Sequence, residues 1–275
     1  MLKTFRLVIL CSLVAACSPS HVMTQNEHAI PYAPPGIVID GKASDWKGVL
    51  FTLDPGTTLR YAVANDSANL YLCLTSTSPG LEDKIFRMGL KVFFDTSGAR
   101  KEATGVQFPM PIDENALQAI AASDRGNNAK QQSDKYHQFI RLQENQYETF
   151  GWPGGGNGLN ALGSQDFIHI GFTLDAEDIF IYELKIPLKN FFGDPLPATV
   201  FTRPFGIGLY IDGVPRSEDP NAPVASEIGQ PGSNMTGARV NIGKGGHMRA
   251  DPYSFQGETL YKPQRAWIKF TLAKK

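Results

Sequence analysis

Apolar residues in this sequence recur at every second position, in short runs that polar turns separate. Leu59, Tyr61 and Val63 form one such run, and Leu70 begins the next after a turn-rich segment at residues 65–69. Successive side chains of a β-strand point to opposite faces, so a period of two places one apolar face against a core. Two runs joined by Asn, Asp and Ser residues therefore predict an antiparallel β-hairpin.

The same alternation continues over most of the chain and predicts further strands. These runs occupy residues 88–94, 168–172, 179–188, 205–211 and 266–272. Only residues 113–123 show helical spacing, and Asp113 is placed to cap that helix at its N-terminus. Many short strands separated by turns are typical of a sandwich. We therefore predict an all-β fold, a predominantly antiparallel β-sandwich of jelly-roll or immunoglobulin-like type with one short helix in a long loop.

Residues 1–16 carry the features of a secretory signal peptide. Lys3 and Arg6 precede a short apolar run, and small residues stand directly before Cys17. The run is too short for a transmembrane helix, which needs roughly 20 apolar residues. A cysteine in this position resembles the bacterial lipobox, which implies lipid attachment at Cys17 and, with Ser18 next, an anchor in the outer membrane. The alternative is an ordinary signal peptide with an incidental cysteine.

The residues after Cys17 set the expected domain boundaries. Residues 17–35 contain several prolines and little apolar periodicity, which indicates a flexible tether, and residues 36–275 are predicted to form a single β-sandwich domain. The 26 Lys and Arg residues balance 27 Asp and Glu residues to a net charge of −1, so no basic surface for nucleic acid is expected. Cys73 lies in an apolar strand pattern, which predicts a buried, inert thiol.

No catalytic motif accompanies this pattern. The sequence lacks a Gly-x-Ser-x-Gly nucleophile elbow, and its glycine-rich segments lack the Gly-Lys-Ser/Thr ending of a phosphate-binding loop. Its 5 His residues have no zinc-binding spacing, and no Asp-x-Asp-x-Asp-Gly calcium loop occurs. Enzymatic activity is therefore the less favoured interpretation, and no cofactor is expected.

Three segments in the first part of the chain resemble a known family. Residues 37–46, which read IVIDGKASDW, resemble the I-x-I-D-G-x-x-x-D-W opening of family 9 carbohydrate-binding modules and their DOMON-like relatives. Residues 61–72 are similar to the family's strand, D-x-x-N-L-Y turn and next strand, and residues 91–95 to a later strand that ends in aspartate. The resemblance covers roughly residues 36–108. It implies a sandwich fold, the binding of sugars or small cofactors among the relatives, and in some of them a structural Ca²⁺.

Aromatic residues in the predicted loops are the candidates for ligand contact. Trp152 stands between a glycine and a proline, Tyr136 borders a polar loop, and Tyr253 follows a region rich in proline and glycine. An exposed ring offers an apolar face to the C–H groups of a sugar, and Asn157 is near enough in sequence to supply hydrogen bonds. The alternative is that Trp152 folds inward and anchors its loop on the core.

Together these features favour a membrane-anchored envelope lipoprotein whose β-sandwich binds carbohydrate or a related small ligand without catalysis. The alternative is a structural or interaction lipoprotein that docks an envelope partner through its long irregular segments, residues 109–135 and 213–246. An enzyme with an unrecognised site is the third hypothesis.

Overall fold

The computed structural model describes residues 28–113, 115–116, 138–140, 145–163, 167–174, 179–215 and 259–275. The strands within these residues are β1 (His28–Ala29), β2 (Thr52–Leu53), β3 (Arg60–Asn65), β4 (Asn69–Ser76), β5 (Lys91–Asp95), β6 (Gly105–Gln107), β7 (Gln146–Phe150), β8 (Gly158–Ala161), β9 (His169–Leu174), β10 (Phe180–Pro187), β11 (Pro204–Ile211) and β12 (Gln264–Thr271). The helices are α1 (Pro79–Met88) and α2 (Lys189–Phe192), and short 3-10 turns lie at Ala43–Asp45 and Ala198–Thr202.

These strands form two stacked sheets. One sheet has seven strands in the order β1-β12-β11-β5-β6-β7-β8, and the other has five in the order β2-β3-β4-β10-β9. Among the described strands, every pair of neighbours is antiparallel except β1 with β12. The predicted antiparallel β-sandwich is confirmed.

One apolar core lies between the two sheets. Leu72 and Leu184 of the five-stranded sheet and Ile207 and Phe270 of the seven-stranded sheet are all buried in it. Burying a side chain of this size contributes about 1.5–3 kcal/mol, so the core determines which face of each strand points inward. The intervening residues of each strand consequently point to the outer face of their sheet.

Helix α1 was not predicted, and its last residue, Met88, was assigned to the strand expected at residues 88–94. Leu81 and Ile85 are four residues apart and both buried, which is helical spacing. Pro79 opens the helix and Gly89, at φ 75°, follows its end, which are ordinary start and stop signals. The strand expected at residues 88–94 is therefore shorter, and β5 begins only after this helix and Gly89.

The predicted helix at residues 113–123 lies mostly outside the described residues. Its expected cap is present, because the Asp113 carboxylate accepts hydrogen bonds from the backbone N–H groups of Asn115 at 2.7 Å and Ala116 at 3.3 Å. Such bonds satisfy backbone donors that have no partner within a helix.

Glu183, on the outer face of the five-stranded sheet, binds the segment at residues 37–46. Its carboxylate accepts hydrogen bonds from the backbone N–H groups of Asp40 at 3.0 Å and Gly41 at 2.8 Å, and from Nε1 of Trp46 at 2.7 Å. Gly41 has φ 78°, and a Cβ there would lie 2.7 Å from the Phe172 carbonyl carbon, so only glycine fits. Trp46 is buried on this outer face.

The hairpin predicted at residues 65–69 is confirmed as the turn between β3 and β4. One carboxylate oxygen of Asp66 accepts hydrogen bonds from the N–H groups of Ala68 at 2.7 Å and Asn69 at 2.6 Å, and the other accepts one from the Tyr71 hydroxyl at 2.7 Å. Despite the opposing effect of burial, these donors hold the pKa of Asp66 below its usual value.

The folded region begins earlier than the boundary predicted at residue 36. β1 pairs with β12 of the seven-stranded sheet, whereas Ala33 donates a backbone hydrogen bond to Asn65 of the five-stranded sheet at 2.7 Å. Residues 28–33 thus connect both sheets at one end of the sandwich. The prolines nearby were interpreted as part of a tether, but an extended segment that contains proline can still pair through its remaining backbone groups. The rest of the predicted tether, residues 17–27, lies outside the described residues.

Candidate functional site

Trp152 is a core residue and not an exposed ligand-binding residue, so the structure contradicts that prediction. Its side chain is only 2% exposed, and its ring packs against Phe94, Phe167 and Phe191 with centroid distances of 5.8, 4.9 and 5.0 Å. Its Nε1 donates a hydrogen bond to the Gly105 carbonyl oxygen at 2.8 Å. The alternative interpretation, in which Trp152 anchors its loop on the core, is the one that the structure supports.

Asn157 closes the glycine-rich loop that follows Trp152. Its Oδ1 accepts a hydrogen bond from the Trp152 backbone N–H at 2.8 Å, and its Nδ2 donates one to the Trp152 carbonyl at 3.2 Å. Asn157 is exposed, but its amide is thus already used within the loop. The other residues predicted for the site and the anchor, Tyr136, Tyr253 and Cys17, lie outside the described residues.

The two sheets differ in what covers their outer faces. The outer face of the five-stranded sheet is covered by residues that precede β2, including Ala33, Trp46 and Val49, which form a second apolar cluster with Cys73 and Ile181. Within the described ranges, no equivalent cluster covers the outer face of the seven-stranded sheet. The outer face of the seven-stranded sheet is therefore the candidate ligand-binding face.

Aromatic residues and glycines alternate across five adjacent strands on that outer face. In the register of β12, β11, β5, β6 and β7, Trp267 lies opposite Gly208, Gly208 opposite Phe93, Phe93 opposite Gly105, and Gly105 opposite Phe150. We call these five residues the aromatic row. Adjacent strands are about 4.8 Å apart, so the row extends about 19 Å across the sheet.

The glycines of the aromatic row allow the rings to lie against the backbone. A Cβ at Gly208 would lie 2.8 Å from Cζ2 of Trp267, and a Cβ at Gly105 would lie 2.6 Å from Cζ of Phe150. Any other residue at these two positions would push the rings away from the sheet. The rings are therefore held in place by the strands beneath them.

The three rings form a continuous apolar surface. Phe93 stacks on Trp267 with a centroid distance of 6.5 Å and an interplanar angle of 19°, and it contacts Phe150 edge to face at 5.7 Å. Phe93 is 6% exposed, whereas Trp267 and Phe150 are half-buried. Trp267 and Phe150 are consequently the rings that a ligand can reach.

A row of polar residues lies beside the aromatic row, one outward position further along each strand. In the same strand order it comprises Arg265, Tyr210, Lys91, Gln107 and Glu148, and we call it the polar row. Outward positions of one strand are about 7 Å apart, so hydrogen-bonding groups stand close to the rings. The face thus combines flat apolar surface with donors and acceptors.

Two residues with reactive side chains are sequestered elsewhere in the molecule. Cys73 is buried in the second apolar cluster, as the sequence predicted, and burial raises the pKa of its thiol. Lys84 of α1 is also buried, and its Nζ donates hydrogen bonds to the carbonyls of Thr259 at 2.8 Å and Lys262 at 2.5 Å and to Oε1 of Gln264 at 3.0 Å. Burial lowers the pKa of Lys84 to about 8. All three donors of Lys84 thus hold the chain that enters β12.

The described residues contain neither a cluster of metal-binding side chains nor a membrane-spanning helix. These residues contain no group of three or more His, Cys, Asp or Glu side chains arranged to hold a metal ion, so a structural Ca²⁺ stays a prediction. No helix of this part of the chain is both long and apolar enough to cross a membrane.

Sequence reasoning did not identify the aromatic row, although one signal was present. The glycines at 206 and 208 alternate with apolar residues in β11, and glycine within a strand often marks close approach of another group. The order of the strands was needed to show that Trp267 and Phe93 flank Gly208.

Comparison with known proteins identifies similar solved structures. A family 9 carbohydrate-binding module from Caldicellulosiruptor kristjanssonii in complex with cellotriose is 11% identical, with 90% of this chain and 94% of that chain covered and a TM-score of 0.36. A structure of such a module from the same organism in complex with glucose is also 11% identical, with 90% and 95% coverage and a TM-score of 0.36. No protein-family model and no curated protein matches the chain.

Proposed function

We propose that this chain is a lipid-anchored protein of the bacterial cell envelope that binds carbohydrate, without catalysis, on the outer face of its seven-stranded sheet. The observation that carries the proposal is the aromatic row, in which Trp267 of β12 and Phe150 of β7 present half-buried rings on either side of Phe93. The C–H groups on one face of a pyranose ring are complementary to such an apolar surface. Because the strands already hold the rings, little side-chain entropy is lost on binding.

The polar row supplies the second requirement for sugar binding. A sugar that stacks on a ring keeps its hydroxyl groups at its edge, and these need hydrogen-bond partners when water is displaced. The Tyr210 hydroxyl, the Lys91 ammonium and the Glu148 carboxylate stand along that edge. Donors and acceptors are both present, which suits hydroxyl groups that donate and accept.

The length of the aromatic row favours a polysaccharide over a single sugar. The row spans five strands, about 19 Å between its first and last backbone positions, and its rings are 6.5 and 5.7 Å apart in succession, so the apolar surface is longer than one pyranose ring. An extended chain can therefore lie across the strands and contact Trp267 and Phe150 together. Single sugars contact only one of these rings and should bind more weakly.

Substitution of Trp267 tests the carbohydrate proposal. We expect Trp267→Ala to weaken polysaccharide binding about thirtyfold, which corresponds to about 2 kcal/mol for an aromatic anchor. Phe150→Ala should weaken it by a smaller factor, since this ring is smaller. A glycan array on the purified protein selects the ligand, and affinity electrophoresis or titration calorimetry measures the variants.

Leu50→Ala is the matched control for these variants. Leu50 is 82% exposed and precedes β2 of the other sheet, so its substitution removes an exposed apolar side chain away from the aromatic row. Unchanged binding by Trp267→Ala would contradict the proposed site. A flat array with folded wild-type protein would contradict carbohydrate binding altogether, and a co-purifying envelope protein would then favour the interaction-protein alternative.

Mass spectrometry of the protein from a native bacterial host tests the anchor. We expect a mature N-terminus at Cys17 that carries acyl chains, and loss of membrane association in Cys17→Ala, because several acyl chains anchor far more strongly than one. An unmodified thiol in the mature wild-type protein would contradict lipid anchoring and leave the carbohydrate proposal untouched.

A further inference from the structure

One end of the polar row carries two cations around a single tyrosine. Lys91 of β5 and Arg265 of β12 lie directly opposite Tyr210 of β11 in the sheet register, one on each side. The Lys91 Nζ is 5.9 Å from the centroid of the Tyr210 ring, and the Arg265 guanidinium carbon is 4.6 Å from it. We call these three residues the cation pair on Tyr210.

Among the described residues, one carboxylate, that of Glu102, forms an ion pair with the cation pair on Tyr210. Arg265 is 3.4 Å from Oε1 of Glu102, but both side chains are exposed, and such surface pairs contribute little. Among the described residues, no carboxylate forms an ion pair with Lys91. Glu148 stands further along the polar row, beyond Gln107.

The other acidic groups near this part of the sheet are engaged elsewhere. One oxygen of Asp95 accepts hydrogen bonds from the backbone N–H and hydroxyl of Ser97, and the other accepts one from the Lys101 N–H. Asp95 also lies opposite Gly206, on the far side of the aromatic row. Asp212 follows β11 and interacts electrostatically with Lys84. Counting the described residues alone, the end of the polar row at Tyr210 therefore has two cations and one paired carboxylate, which is a net positive charge.

We propose that the polysaccharide bound on this face is acidic, with carboxylate groups that bind between Lys91 and Arg265 while its sugar rings stack on the aromatic row. This inference rests on the proposed function. A guanidinium binds a carboxylate through two parallel hydrogen bonds, and an ammonium adds a compact charge without a fixed direction. The Tyr210 ring holds both cations beforehand through cation–π contacts, which lowers the entropy lost when the anion binds.

Two forms of one polysaccharide test the inference with the full chain. Polygalacturonate and its fully methyl-esterified form share a backbone and differ in the charge of the carboxyl group. We expect polygalacturonate to bind about tenfold more tightly at low salt, and the difference to shrink as salt is raised, because exposed charges are screened. Affinity electrophoresis in gels that contain either polymer measures both affinities.

Variants of the cation pair test whether Lys91 and Arg265 cause the preference for the acidic polysaccharide. We expect Lys91→Gln and Arg265→Gln each to bring the ratio of the two affinities close to one. The ratio is the measured quantity because both residues belong to the polar row, so either substitution also weakens binding of the esterified form. Lys185→Gln is the matched control, because Lys185 lies 6.0 Å above the Tyr71 ring on the other sheet. Loss of the preference in that control would contradict the proposed location.

The remaining outcomes separate this inference from the function on which it rests. Equal affinity for the two forms, or a preference that survives in both Lys91→Gln and Arg265→Gln, would overturn the acidic ligand while carbohydrate binding stands. If neither form binds and neutral glycans do, the acidic ligand is again excluded and the site stands. If no glycan binds, the proposed function fails with it.

Discussion

Glu183→Ala is expected to destabilise the protein by about 3–5 kcal/mol, because each buried donor that it leaves without an acceptor costs about 1–3 kcal/mol. Glu183 is fully buried, and three donors from residues 37–46 point at its carboxylate. Alanine would leave the two backbone N–H groups and Nε1 of Trp46 without acceptors, in a place that water does not reach. Urea or thermal unfolding followed by circular dichroism measures the loss.

Glu183→Gln refines this test, because glutamine keeps the shape and one acceptor oxygen. Burial raises the pKa of Glu183, and the three donors partly oppose that rise, so the carboxylate depends on them. We expect a loss of about 2 kcal/mol, since an amide N–H₂ would then face a donor. Glu102→Gln is the matched control, and this exposed position should change the free energy of unfolding by less than about 0.5 kcal/mol.

A double-mutant cycle with Trp46→Phe isolates one of the three bonds. The cycle should give a coupling free energy of about 1–3 kcal/mol between residues 46 and 183, as for other groups in direct contact. Additive effects would mean that the Trp46 indole and Glu183 stabilise the fold independently, and the account of this segment would be wrong.

Trp152→Ala is expected to destabilise the protein by about 3–5 kcal/mol, as for other large aromatic residues removed from a core. The loss combines the contacts of the ring with Phe94, Phe167 and Phe191 and the hydrogen bond from Nε1 to the Gly105 carbonyl. This variant would also lose ligand binding if it unfolds under the assay conditions. Binding by Trp152→Ala alone therefore cannot identify a ligand-binding residue.

Trp152→Phe and Trp267→Ala together separate stability from recognition. Trp152→Phe keeps most of the buried ring and loses the Nε1 hydrogen bond, so we expect a loss of about 1–2 kcal/mol in stability and wild-type affinity for the polysaccharide. Trp267→Ala should show the converse, a small change in the unfolding temperature and a large loss of affinity. A specific loss of affinity in folded Trp152→Phe would contradict the assignment of Trp152 to the core.

The fold was accessible from the sequence because the alternation is local. A run such as Leu70, Leu72 and Leu74 determines its own inward face, whatever the order of the strands. Helix α1 was missed because the alternation that marks β5 extends back to Met88, the last residue of the helix, and no helical period was assigned to the residues before it. Near Trp152, the surrounding glycines suggested an exposed loop, but burial of the ring stabilises the molecule more than its exposure would.

The candidate site could not be predicted from the sequence in the way that the fold could. Trp267, Phe93 and Phe150 are each unremarkable within their strands, and they are far apart in the sequence. They meet because β11 pairs with both β12 and β5, and β6 with both β5 and β7. The cation pair on Tyr210 depends on the same pairings.

The sequence by itself determined that strands with one apolar face would stack into a sandwich, since burial of that face depends only on the spacing of residues along the chain. It also placed the turn at Asp66 and the thiol of Cys73, which depend on neighbouring residues. Only the tertiary structure decided which outer face the described residues leave uncovered and which side chains share it, because strand order and register join residues that no local pattern relates.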